Sequence, residues 1–224
     1  SEKDFPKEFR GNIGIGGQVF KEDSSNYGKP HPYFALALDA GGDTKKAFEL
    51  SKLNAPYTEV YEAKNGAVVK VSPFADFDNL DENMYSAKVI ADKLGISINI
   101  RPDLVLKGHK NPEYEIKGVI GDGTNRTGNI KNFIGNSFVN KLTKGGQLYD
   151  LEKTFIVANC GVLKGVSKKE FKALSNDIFF KMLNTPKVEN LYILYNGKAI
   201  RISQKDAKKG LQHIKELLKD IETQ

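Results

Sequence analysis

Apolar residues recur at two spacings along this chain, and the switching between them predicts alternating strands and helices. Positions 57–63 and 67–72 read as two strands on either side of Asn65-Gly66, a pair suited to closing a tight hairpin. From 79 to 94, Leu80, Met84, Ala87, Ala91 and Leu94 return every three or four residues, so a helix with one apolar stripe is expected there. Gly95 stands where a left-handed residue would end that helix. A strand over 96–100, a helix over 129–143 and a buried strand over 153–159 follow. Beyond these come a helix over 167–183 and a second hairpin, 190–195 with 198–203, across Asn196-Gly197. An amphipathic helix over 204–221, displaying Leu211, Ile214, Leu218 and Ile221, closes the pattern.

This order predicts an α/β chain with a central mixed sheet flanked by helices. Its character changes near residue 56. Residues 1–55 form a loop-rich segment with one short helix, capped by Asp43 and running to Leu53, while 56–224 form the α/β domain with its C-terminal hairpin and helix. The glycines at 11, 14, 16 and 17 invite a phosphate-loop reading, but no strand precedes them and no Lys-Ser/Thr pair follows. At 224 residues the chain can bury a sizeable core. No run of about 18 apolar residues is present to span a membrane. The opening Ser-Glu-Lys-Asp-Phe has no signal-peptide pattern and no initiator Met, as expected of an excised domain. The single Cys160 ends an apolar run and reads as a buried thiol. A net charge of +6 modestly favours a polyanionic partner.

Candidate chemistry concentrates in 101–117. Arg101-Pro102-Asp103 opens one strand and Glu115-Ile116-Lys117 lies on the next, with a turn expected over 108–111. Side chains two apart on a strand share a face, so Glu115 and Lys117 project together while Ile116 enters the core. With the turn so placed, Asp103 lies nearly opposite Glu115, and two carboxylates and an ammonium share one end of a sheet. Two acidic oxygen donors can hold a hard divalent cation, and a neighbouring lysine can stabilise charge on a phosphorane. The same residues also read as an ordinary solvated cross-strand pair. Glu62-Ala63-Lys64 and Glu170-Phe171-Lys172 repeat the spacing, but the first runs into the Asn65-Gly66 turn and the second lies on a helix.

Pro102-Asp103 followed by Glu115-Ile116-Lys117, preceded by the 65–73 strand, the 80–95 helix and the 96–100 strand, resembles the PD-(D/E)XK nucleases. The likeness is closest to the C-terminal toxin nuclease domains of contact-dependent growth-inhibition and other polymorphic toxins. It covers about residues 57–160. The resemblance implies a metal site of Asp103 and Glu115, completed by Glu82 from the first turn of the 79–94 helix. Asp78 or Asp81 are substitutes for Glu82, and a plain N-terminal dipole role is its alternative. It implies Lys117 as the catalytic lysine, Mg²⁺ as cofactor with Mn²⁺ or Zn²⁺ in its place, and RNA, tRNA in particular, as substrate. It further implies action in the cytoplasm after delivery there and a cognate immunity protein. The loop expected over 118–128 and the helix after it offer Arg126, Lys131, Lys141 and Lys144 as phosphate-binding groups. His31, His109 and His213 are scattered, which disfavours a metal-independent ribonuclease. A non-catalytic nucleic-acid-binding or phage-structural module is the remaining alternative.

Overall fold

The computed structural model describes residues 41–125, 132–161 and 167–223. The fold is α/β, with one mixed sheet of eight strands and helices on both faces. Chain order and sheet order coincide: β1 (Thr58–Glu62), β2 (Val68–Val71), β3 (Ile98–Ile100), β4 (Tyr114–Ile116), β5 (Val119–Asn125), β6 (Thr154–Asn159), β7 (Val188–Tyr195) and β8 (Lys198–Ser203). Strands that a tight turn joins are antiparallel, as β1 is to β2 and β7 to β8. Strands that a helix joins are parallel: β2 with β3, β5 with β6 and β6 with β7.

Helix α1 (Thr44–Ser51) starts on Asp43, whose side chain accepts the Lys46 N–H at 3.0 Å. Helix α2 (Leu80–Leu94) carries the expected apolar stripe and ends at Gly95, whose left-handed φ of 64° suits glycine. The stripe packs on a layer made by Val69, Val71, Ile98, Ile100, Tyr114, Ile116, Phe155, Val157, Tyr192 and Leu194. Because α2 touches β2 and β3 near one edge and β7 and β8 near the other, the sheet curls around it. The opposite face, with Ile156, Ala158, Leu191, Ile193, Ile200 and Ile202, is covered by α3 (Phe133–Leu142), α4 (Lys168–Asn184), α5 (Gln204–Lys208) and α6 (Leu211–Thr223). Helix α4 begins on a full capping box between Ser167 and Glu170.

Three expectations are corrected. The C-terminal helix is two helices, because Gly210, at φ 107°, ends α5 and re-aims the chain into α6. The stretch expected as a loop over 118–128 is strand β5 as far as Asn125. The hairpin expected across 108–111 is replaced by one that turns on Lys117-Gly118, with Ile116 paired to Val119. Residues 101–113 are a connection outside the strands, apart from a single bridge of Pro102 to Ala75. Helix α1 docks on that connection: the buried Glu49 carboxylate accepts the Val105 N–H at 2.8 Å and pairs with Lys52 at 2.8 Å.

Candidate active site

The β3–β4 register decides where the expected trio goes. Asn99 lies opposite Glu115, Ile100 opposite Tyr114, and the Arg101 N–H donates to the Glu113 carbonyl. Glu115 therefore faces Asn99, whose Nδ2 donates to its Oε1 at 3.2 Å. Asp103 lies beyond the end of β3, in the 101–113 connection. Its N–H bonds the Phe74 carbonyl, and its carboxyl is pushed up by burial and by Asp76, with Lys52 opposing. Lys117 leaves the strand altogether. It takes φ 49° beside Gly118 at φ 79°, the two left-handed positions of a type I′ turn, so it no longer alternates with Glu115. Asp103, Glu115 and Lys117 do not form one site.

The same turn creates another meeting point. With Tyr114 opposite Gly121, the next pair outward is Glu113 and Asp122. The Glu113 N–H donates to Asp122 Oδ1 at 3.2 Å. Lys141, from α3, forms an ion pair with the Asp122 carboxylate, and both side chains are largely buried. The Glu113 carboxyl is pushed up to about 7, first by burial and then by the Asp122 charge. Lys141, a hydrogen bond from the Asn83 side chain and one from the Gly123 N–H act in the other direction. Gly123 makes this approach possible, since a Cβ there would lie 2.9 Å from Glu113 Oε2 and 2.8 Å from the Tyr114 ring. Asn83 comes from the first turn of α2, is buried, and also accepts the Tyr114 hydroxyl at 3.2 Å. On the next residue toward solvent, Glu82 Oε2 accepts the Asn125 Nδ2 at 2.6 Å. Burial first, and then the Glu113, Asp122 and Glu82 charges, push up the pKa of the fully buried Tyr114 phenol, with Ser86 opposing. The Thr124 hydroxyl, two residues beyond Asp122 on β5, is buried without a hydrogen-bond partner.

Four elements thus converge: α2 with Asn83 and Glu82, the entry to β4 with Glu113, β5 with Asp122, and α3 with Lys141. No family model, curated protein or solved structure matches the chain. The chemistry of the cluster has to be read from the cluster itself. A Glu113 carboxyl that titrates near neutrality beside a second carboxylate is poised to exchange a proton for a cation. Among the described residues no group of three His, Cys, Asp or Glu side chains is gathered for a metal. Two carboxylates fit a hard, strongly hydrated cation such as Mg²⁺, which binds through one or two carboxylates and takes its other ligands from water and substrate phosphate.

Of the expected residues, Glu82 borders the cluster and Lys141 is inside it. Lys141 was expected on a basic surface; instead its ammonium is turned inward onto Asp122, with the side chain only 13% exposed. Arg126, Lys131 and His31 lie outside the described residues. Lys144 is exposed beyond the end of α3. His213 Nε2 lies 2.9 Å from Asp206, on the helical layer away from the cluster. His109 is in the connection before β4, with its N–H bonded to the Leu106 carbonyl, and Cys160 is buried. Glu113 and Asp122 are the residues that sequence reasoning missed. A signal for them exists: a two-residue turn on Lys117-Gly118 pairs Glu113 with Asp122 by counting outward.

Proposed function

We propose that the chain is a divalent-metal-dependent nuclease whose site is Glu113, Asp122 and Lys141, supported by Asn83 and Glu82. The observation that carries this reading is the meeting of a buried and a half-buried carboxylate with an ammonium, with Glu113 pushed up to about 7 beside Asp122. The order α2–β3–β4–β5–α3–β6 also keeps the helix, antiparallel strands, helix and parallel strand of the nuclease core that the sequence resembles. Within that order the charged residues move. An acid at the entry of β4 and an acid on β5 take the places expected of Asp103 and Glu115, and the lysine arrives from α3 instead of two residues after the second acid.

Glu113 and Asp122 would hold the cation. When bound, that ion supplies positive charge at the phosphoryl oxygens and acidifies a water nucleophile. Asn83 and the Gly123 N–H act to stabilise the charged form of the Glu113 carboxyl. Lys141 pairs with Asp122 and carries a positive charge that can neutralise the equatorial oxygens as attack proceeds. The likeness to toxin nucleases favours RNA, tRNA in particular, as the substrate, and a cognate immunity protein as a partner.

The test is incubation of the pure chain with total RNA and with plasmid DNA, in Mg²⁺ or in EDTA, beside Asp122→Asn, Glu113→Gln and Lys117→Ala. Circular dichroism establishes that each variant is folded. Cleavage should need Mg²⁺, vanish in both acid variants and persist in Lys117→Ala. Cleavage that survives EDTA, folded acid variants as active as wild type, or salt-sensitive binding with no cleavage in Mg²⁺, Mn²⁺ or Zn²⁺ would each overturn the proposal.

A further inference from the structure

Lys117, which the register removes from the acid cluster, lines a separate feature. Beyond the C-terminal end of α2, a cavity of about 350 Å³ opens beside Gly95. Ile116, Val119, Phe155 and Tyr192 give it an apolar lining. Phe155 and Tyr192 meet edge to face, with ring centres 5.7 Å apart. Tyr192 is only 3% exposed, yet its hydroxyl makes no hydrogen bond among the described residues. Burial pushes its pKa up, Arg201 opposes and Glu189 adds to the rise, which sets the phenol beside two residues of the cavity rim. The ring is buried while the residue lines the cavity, so a group bound there can become the partner that a tyrosine hydroxyl ordinarily finds.

The rim carries the charge. Lys117 and Arg201 line it, and neither makes an ion pair among the described residues. Glu189 also lines it, but Lys153 faces that carboxylate at 3.7 Å. The carbonyl end of α2 adds partial negative charge, which two full cations outweigh. Lys117 is held at this rim by the turn that gives it φ 49°.

We propose that this cavity binds a small amphipathic anion, with a planar apolar body against Phe155 and Tyr192 and an anionic group reaching Lys117, Arg201 and the Tyr192 hydroxyl. The site stands apart from the acid cluster and does not depend on the nuclease reading. Carboxylates and phosphate monoesters share the required chemistry, so matched probes separate them: 2-naphthoate, 2-naphthyl phosphate and neutral 2-naphthol, titrated by calorimetry into the full chain. At least one anion should saturate a single site and bind at least tenfold more tightly than 2-naphthol, and the tighter anion names the class. Arg201→Ala should weaken that anion about tenfold and leave 2-naphthol unchanged. Tyr192→Phe, which keeps the ring packing, should weaken it several-fold. Absence of saturable binding, parity with 2-naphthol, or indifference to Arg201→Ala in a folded variant would overturn the proposal.

Discussion

Replacing Glu113 with glutamine removes the one carboxyl in the cluster that the fold holds near neutrality, and the consequence has a definite sign. In the folded chain Glu113 titrates at about 7, against an ordinary glutamate value of 4.5. Between those two values the folded state keeps a proton that the unfolded chain has already released. Stability therefore falls as pH rises through this window, by about 3 kcal/mol in total. Below about pH 4.5 both states are protonated and the penalty is absent; above about pH 8 it is complete. Glutamine is nearly isosteric and carries no charge, so Glu113→Gln should lose this dependence while keeping the Asn83 and Gly123 contacts at its carbonyl oxygen. The assay is urea unfolding of wild type and variant in EDTA at intervals from pH 4.5 to 8.5, taken as a difference so that other titrating groups cancel. The variant should gain on wild type by about 3 kcal/mol across the range, most steeply between about pH 5 and 6.5. A difference that stays flat with pH would mean that Glu113 ionises like a surface glutamate, and the reasoning about the buried acid pair would fail.

Lys141→Met should destabilise the chain by about 3–5 kcal/mol at pH 8 and by less at pH 5, because it leaves the Asp122 charge buried without its partner; urea midpoints at the two pH values measure this. Gly123→Ala should cut cleavage at least tenfold with little change in substrate affinity, because its Cβ would meet Glu113 Oε2 at 2.9 Å and displace the carboxylate; steady-state kinetics on a defined RNA read it out. Lys117→Gly should raise stability by about 1 kcal/mol, relieving a non-glycine residue of its left-handed backbone, and leave cleavage unchanged. Asp103→Ala should likewise leave cleavage unchanged, since Asp103 is tied to the Phe74 and Lys52 neighbourhood.

Elements specified by local chemistry were legible in the sequence. The stripe of α2 and its terminal Gly95, the Asn65-Gly66 and Asn196-Gly197 turns, and the Asp43 cap all appear near their expected positions. Strand β5 was not legible, because Gly121 and Gly123 interrupt the alternation that marks a strand. Their absent side chains make room for the Phe155 ring on one residue and for Glu113 and Tyr114 on the other. That is information held by the partners and not by the segment. The site failed for a related reason. Lysine is not a residue favoured at positive φ, so Lys117-Gly118 did not read as a turn, and a hairpin built around 108–111 placed the wrong acids opposite each other. The place of Glu82 in the first turn of α2 was legible from the helix pattern, and that place sets it beside Asn125 of β5.

The most direct test is where a paramagnetic cation settles. Mn²⁺ titrated into isotope-labelled chain at pH 8 should broaden the amide signals of Glu113, Asp122 and Gly123 first and saturably. Those of Asp103 and Lys117 should broaden only at higher Mn²⁺, and Asp122→Asn should abolish the effect. Broadening centred on Asp103, or an unchanged response in the folded Asp122→Asn variant, would contradict a cation site built on Glu113 and Asp122.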